Sequence, residues 1–326
     1  MFGAYRFLLA LMVAIHHLWY PVSGAAGVVA VYGFYILSGY LMTKIVAETY
    51  RGALVRYAAN RFLRIYPMYW TAAALGLAII LVAPEDSAKL HPVMRLPETF
   101  ADALYQVTIF GLRLYPVRII PSAFSLHLEL IFYILIGLGI GLTPRRSIIW
   151  FCASIGMVVA FVASGSRWLW AYHSPLGVSI CFAAGSLLYH LPTPGFGRRH
   201  ATAALAAVMA IGFLGSRGYL ALHTGAVAAV VVTAALRQLP RRRWDDRLGN
   251  LAYPLFLFHH QAGVIVAATT DLEGGWFFAA SLALALVESS LILLLVDRPI
   301  THLRNRLRTR SKLVAVTASP TPPTAI

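Results

Sequence analysis

Charge is scarce in this sequence, and negative charge is scarcer. Of 326 residues only 12% are charged against 59% hydrophobic, and Asp plus Glu number 12 against 27 Lys plus Arg. A soluble domain carries about a quarter of its residues as charge to face water on every side, so half that share with this apolar content excludes an ordinary soluble fold. Cysteine is nearly missing. Cys152 and Cys181 each lie inside an apolar run, which excludes a disulfide framework and a cysteine-rich metal site. The net charge of +15 does not mark a nucleic-acid binder, because the arginines fill short gaps between apolar runs rather than one basic face. A cleavable leader is not expected either, since the first apolar run holds two histidines and no small-residue cleavage pattern follows it.

What is abundant is apolar length. A helix needs about 20 apolar residues to cross a ~30 Å hydrocarbon core. Runs bounded by Pro, Gly or charge occur at about 5 to 21, 26 to 43, 65 to 83, 123 to 142, 147 to 164, 174 to 190, 201 to 215, 218 to 236, 249 to 268 and 275 to 296. They predict an all-α, polytopic bundle of ten transmembrane helices. A weaker stretch, Ala101 to Leu114, carries Asp102 and Arg113 and is expected to be re-entrant or interfacial. With the amino terminus inside, 21 of the 27 basic residues fall on the inner side, the distribution expected of ten spans with both termini cytoplasmic. Residues 1–312 then form one transmembrane domain. Residues 313–326, which end in SPTPPTAI, are expected to be a disordered cytoplasmic tail.

Ionisable groups at membrane depth are costly and are functional candidates by default. His17 lies eleven residues after Arg6 on the first span, about 16 Å further along a helix. Glu129 enters the fourth span within FSLHLELIFY, and His259 lies about ten residues into the ninth. Two imidazoles and a carboxylate at similar depth suit proton transfer from a hydroxyl. The same residues also suit hydrogen-bonded packing between helices, or a transporter's proton relay. No metal is expected, because His16 and His17, like His259 and His260, are adjacent and point about 100° apart on a helix. Arg61 and Arg64 lie three apart at the inner end of the third span. They suit either bidentate phosphate binding or lipid-headgroup contact.

Other features carry plain readings beside functional ones. Ser38 and Gly39 could flank a reacting group or allow close helix packing, and Gly137, Gly139 and Gly141 fit close packing. Trp168, Trp170 and Tyr172 could stack on a sugar or form an interfacial belt. Arg241, Arg242 and Arg243 could bind an anion but fit a topology-setting loop.

Five separated elements together resemble the acyltransferase-3 family of integral membrane O-acyltransferases. In YRFLLALMVAIHHL, Arg6 and His17 keep the family's arginine-to-histidine spacing, whereas His16 does not. GFYILSGYLMT matches its Leu-Ser-Gly at Leu37, Ser38 and Gly39, and RFLRIYP its Arg-x-x-Arg at Arg61 and Arg64 followed by Pro67. FSLHLELIFY matches the element holding Glu129 and Tyr133, with Phe124 in place of Trp. LGNLAYPLFLFHH carries Tyr253 and, six residues on, His259. Asp297 to Pro299 matches an acidic-Arg-Pro ending of the last span. Three departures are visible: Gly3 where the family often has Asp, Ala252 where Ser is usual, and Phe256 where Tyr is usual.

The resemblance implies a ten-helix enzyme of the bacterial cytoplasmic membrane. It would take an acyl group, acetyl by preference, from acyl-CoA as co-substrate, with no tightly bound cofactor. The acceptor would be a hydroxyl on a glycan, a lipid-linked sugar or a small molecule. Arg6, Arg61 and Arg64 would bind CoA. His17 would act as general base or acyl carrier, Glu129 would orient or stabilise it, and Ser38, Tyr133, Tyr253 and His259 would position substrate. The rival expectation is a proton-coupled transporter, which predicts paired repeats and broken helices; neither is visible in the sequence.

Overall fold

The computed structural model describes residues 1–19, 24–112, 117–193, 195–240 and 242–306. Every regular element among them is helical. The helices run α1 (Gly3–Leu18), α2 (Ala26–Glu48), α3 (Leu54–Val82), α4 (Pro84–Leu90), α5 (Phe100–Thr108), α6 (Phe124–Gly137), α7 (Pro144–Ala163), α8 (Trp168–His173), α9 (Pro175–His190), α10 (Arg198–Leu214), α11 (Tyr219–Leu236), α12 (Arg243–Thr269) and α13 (Gly274–Ile292). Each of the ten apolar runs coincides with one helix. By length and composition six helices suffice to cross a membrane: α2, α3, α7, α11, α12 and the continuous run Gly274–Arg306. α1, α9 and Pro121–Gly137 are apolar but shorter. The protein is an all-helical integral membrane protein.

Several edges differ from the hydropathy reading, each for a local reason. α1 stops at Leu18 rather than near residue 21. α3 begins at Leu54 and α12 at Arg243, because their polar first turns continue the helix beyond the apolar run. α6 ends at Gly137 instead of near 142, where Gly139 adopts φ +103°, a conformation glycine takes without steric cost. α5 is nine residues long, about 13 Å at 1.5 Å per residue and too short to cross. It starts in a reciprocal cap between Thr99 and Asp102 and stops at Ile109, whose φ is +67°. The expected tail, residues 313–326, lies outside the described residues.

α2 is the central helix. It packs against α1, α6, α9, α10 and α11, and 89% of its apolar window is buried, against 17% for α7 and for Gly274–Arg306. Helices exposed on so much apolar surface face lipid rather than water. α2 meets α9 through a pair of glycines. A Cβ on Gly39 would lie 2.3 Å from the Phe182 carbonyl oxygen, and one on Gly185 would lie 2.0 Å from that of Ile36. Backbone therefore rests on backbone, the small-residue packing that substitutes for hydrophobic driving force between helices in lipid.

The last helix passes through a π turn at Leu293–Asp297 just before Pro299, whose missing N–H and ring disturb the α-helical ladder. There Asp297 turns inward. It is 8% exposed and pairs with Arg64 at 3.1 Å, tying the carboxyl end of the bundle to α3.

Replacing Gly185 with Leu should separate α2 from α9. We expect loss of a monodisperse peak on size-exclusion chromatography in detergent, or a lowered unfolding temperature, consistent with an overpacking cost of about 1–3 kcal/mol or more. Gly156→Leu, where no atom lies within 4 Å of an added Cβ, should leave both unchanged.

Candidate active site

The α1–α12 contact carries the site. At the start of α1 the backbone N–H of Ala4 donates to Asp245 Oδ1 on α12 at 2.8 Å, and Gly3 sits so close that a Cβ would be 1.7 Å from the Asp245 carbonyl oxygen. No side chain fits at position 3. Arg6 lies against α12 here as well, its Nη2 3.0 Å from where a Cβ on Gly249 would sit.

Thirteen residues beyond Ala4 the two helices meet again through imidazoles. His17 Nδ1 lies 3.0 Å from His259 Nε2, and His259 Nδ1 lies 3.1 Å from the Leu255 carbonyl. A carbonyl only accepts, so the proton of neutral His259 is on Nδ1 and its Nε2 carries the lone pair. His17 Nδ1 must then be the donor. Its Nε2 is left unprotonated, the state required of a base or nucleophile. His259, fully buried, thus fixes the tautomer of His17, a task usually given to a carboxylate.

Glu129 lies elsewhere. It accepts from Ser38 Oγ and from Tyr133 Oη at 2.6 Å, joining α2 to α6, while Tyr57 Oη donates to the Tyr133 carbonyl. Among the described residues no hydrogen bond joins Glu129 to His17. Glu129, Ser38 and Tyr133 instead line one cavity with Arg6, Arg61, Arg64 and Tyr253. In that cavity Tyr253 Oη donates to the Ile65 carbonyl at 3.0 Å, and the Arg64 guanidinium lies 5.9 Å from the Tyr253 ring centroid. Arg61 Nη2 donates to Asn60 Oδ1 at 2.6 Å. The Nε atoms of both Arg6 and Arg61 are buried with no hydrogen-bond partner. Three guanidinium groups in one cavity, two of them with an unmet Nε donor, suit an anion carrying several oxygens.

His17 lines a second cavity, with His16, Trp168, Tyr172, His173 and Arg217 among its walls. Val31 and Phe256 border both cavities. The arginine-lined space thus opens near the start of α1 and the histidine-lined space near its end, with two apolar side chains between them. Of the aromatic residues in α8, Trp168 and Tyr172 face the histidine cavity, whereas Trp170 is 62% exposed.

Two further residues complete the histidine cluster, and of these only His91 carried no signal in the sequence. His91 follows α4, outside every apolar run, and its ring centroid is 6.1 Å from that of His17. His260 is 4.5 Å away by the same measure. The adjacency of His260 to His259 argued only that the pair could not clamp an ion together, and said nothing of partners on other helices. Arg241 of the basic loop lies outside the described residues.

With this geometry in place, the comparisons with known proteins are direct. The acyltransferase domain family Acyl_transf_3 matches residues 4–295, and the chain therefore belongs to the acyltransferase-3 family of membrane acyltransferases. It is also 25% identical over 327 aligned residues, covering 91% of this chain and 81% of the other, to a protein of Komagataeibacter xylinus described as "Putative membrane-bound transacylase BcsY". No solved structure matches the chain.

His259→Ala should lower the acyl-transfer rate about 10- to 100-fold, the usual cost of removing an orienting partner. His259→Gln, which can accept from His17 Nδ1 through its side-chain carbonyl, should recover part of that loss. The check is the initial rate of each variant at matched protein folding.

Proposed function

We propose that the chain is an O-acyltransferase that takes an acyl group, acetyl by preference, from acyl-CoA and delivers it to a hydroxyl. The observation that carries this reading is the pair of cavities meeting at Val31 and Phe256, one rich in arginine and the other holding His17. CoA phosphates pair with Arg6, Arg61 and Arg64. Arg64 spends Nη1 on Asp297, which holds its guanidinium in place while the rest of the fork meets the anion. The pantetheine arm extends along Ser38 and Tyr253 and brings the thioester carbonyl to the Val31–Phe256 boundary. The acceptor hydroxyl enters from the histidine side, where Trp168 and Tyr172 supply flat faces for a sugar ring. His17 Nε2 removes its proton, the oxygen attacks the thioester carbon, the carbon–sulfur bond breaks, and the thiolate recovers a proton from the imidazolium. Glu129, bound by Ser38 and Tyr133, fixes the wall of the donor cavity and the charge balance of its arginines. An acyl-imidazole at His17 Nε2 uses the same lone pair and requires no further residue.

The basic-residue distribution supports ten spans with both termini cytoplasmic, which puts the arginine cavity toward the cytoplasm, where acyl-CoA is made, and the histidine cavity toward the other face. The membrane is then a bacterial cytoplasmic membrane, and the acceptor a glycan, lipid-linked sugar or small hydroxylated molecule.

The test uses the purified chain in nanodiscs with acetyl-CoA and longer acyl-CoAs. We expect thioester turnover by the wild type, turnover abolished with CoA binding retained in His17→Ala, and CoA affinity weakened about tenfold or more in Arg64→Ala, in line with loss of a charge-assisted contact. Failure of every acyl-CoA to bind folded protein would remove the donor assignment.

A further inference from the structure

We propose that His17, His91 and His260 form a binding site for a divalent transition-metal ion of the zinc class. One ring nitrogen from each lies within 4.8 Å of the other two. The three rings come from separate elements: the end of α1, the turn after α4, and the middle of α12. Separate elements solve the difficulty that adjacent histidines present, since each ring approaches from its own direction.

The strongest indication is His260. It is 1% exposed, and neither of its ring nitrogens has a hydrogen-bond partner. A neutral buried imidazole has one donor and one acceptor to satisfy, and leaving both unmet is costly. A metal ion satisfies one nitrogen directly. His17 contributes the bare Nε2 that its bond to His259 leaves free, so the buried His259 acts as the second partner that orients a metal-bound imidazole. At His91 the Val93 N–H reaches Nδ1 only at 3.4 Å, a weak contact that coordination through the other nitrogen displaces. Metal–nitrogen bonds of about 2.0–2.1 Å require the rings to close on the ion by an ångström or so, within the reach of side-chain rotation. Neutral imidazole suits zinc, copper and nickel rather than magnesium or calcium. Three nitrogen ligands leave a fourth position for water.

Occupation has a chemical consequence that rests on the assignment of His17 as the base. The ion takes the Nε2 lone pair that would accept the hydroxyl proton, so a bound metal switches the transfer off.

The experiment uses full-length protein purified without a polyhistidine tag and stripped with chelator. Cobalt(II) is titrated while visible d–d absorption is recorded, and zinc affinity is measured by competition with a chromophoric chelator. We expect one ion per chain, with affinity lowered about tenfold or more in both His91→Ala and His260→Ala and unchanged in His200→Ala, a histidine at the exposed start of α10. His91 lies on a partly exposed turn, so its variant keeps the test independent of any packing defect at His260. Absence of binding, or binding equal in wild type and His91→Ala, overturns the site. Thioester turnover is then assayed with zinc and with zinc plus chelator, expecting reversible inhibition of wild type and resistance in His91→Ala. Binding without inhibition keeps the site and overturns the assignment of His17 as the base.

Discussion

The close crossing of α1 and α12 is the constraint on which the site depends. At one end the approach is so tight that Gly3 lies against the backbone of Asp245, whose carboxylate accepts the Ala4 N–H. At the other end the approach is held by an imidazole pair with a defined direction of proton donation. Each tether is polar and partly buried within an apolar bundle, where an unpaired group would be expensive. A displacement that broke one would leave its donor or acceptor with little water to replace it. The rigidity of the helix pair therefore follows from the solvent as much as from the contacts.

This crossing also separates the two chemistries. Positive charge gathers near the start of α1, where Arg6 joins the α3 arginines, and imidazole gathers near its end. Glu129 does not lie beside His17, and the two line different cavities. It lies instead with Ser38, Tyr133 and the arginines, accepting from both hydroxyls. A neutral residue, His259, does the orienting of His17.

Much of this was legible in the sequence, and the rest was not for identifiable reasons. Hydropathy located each long helix, because burial in lipid demands unbroken apolar length, and charge marked Arg6, Arg61 and Arg64. The shortness of α5 followed from Asp102 within its stretch. Helix ends were misjudged where polar turns extend a helix, as at Leu54 and Arg243, since hydropathy reports the membrane and not the hydrogen-bond ladder. Pairing was not legible at all. Spacing along α1 gives the depth of His17 but not its azimuth, so the expected partner was Glu129, whereas the structure pairs His17 with His259. His91 had no signal, as it lies in an irregular segment where neither period nor hydropathy applies. The comparisons establish the family. The geometry adds that Asp245 of α12 accepts the Ala4 N–H at the start of α1.

The π turn at Leu293–Asp297 has a bearing on how this chain is aligned with others. One extra residue in a turn advances every later side chain by about 100° around the helix axis. Residues 298–306 therefore owe their facing to a local slip in hydrogen bonding and not to the period of the preceding apolar run. A relative lacking that residue would present its arginines to a different neighbour while reading almost identically. For this helix, phase and sequence similarity are separable quantities, and a gap of one position near Leu293 is a structural statement about which side chain reaches Arg64.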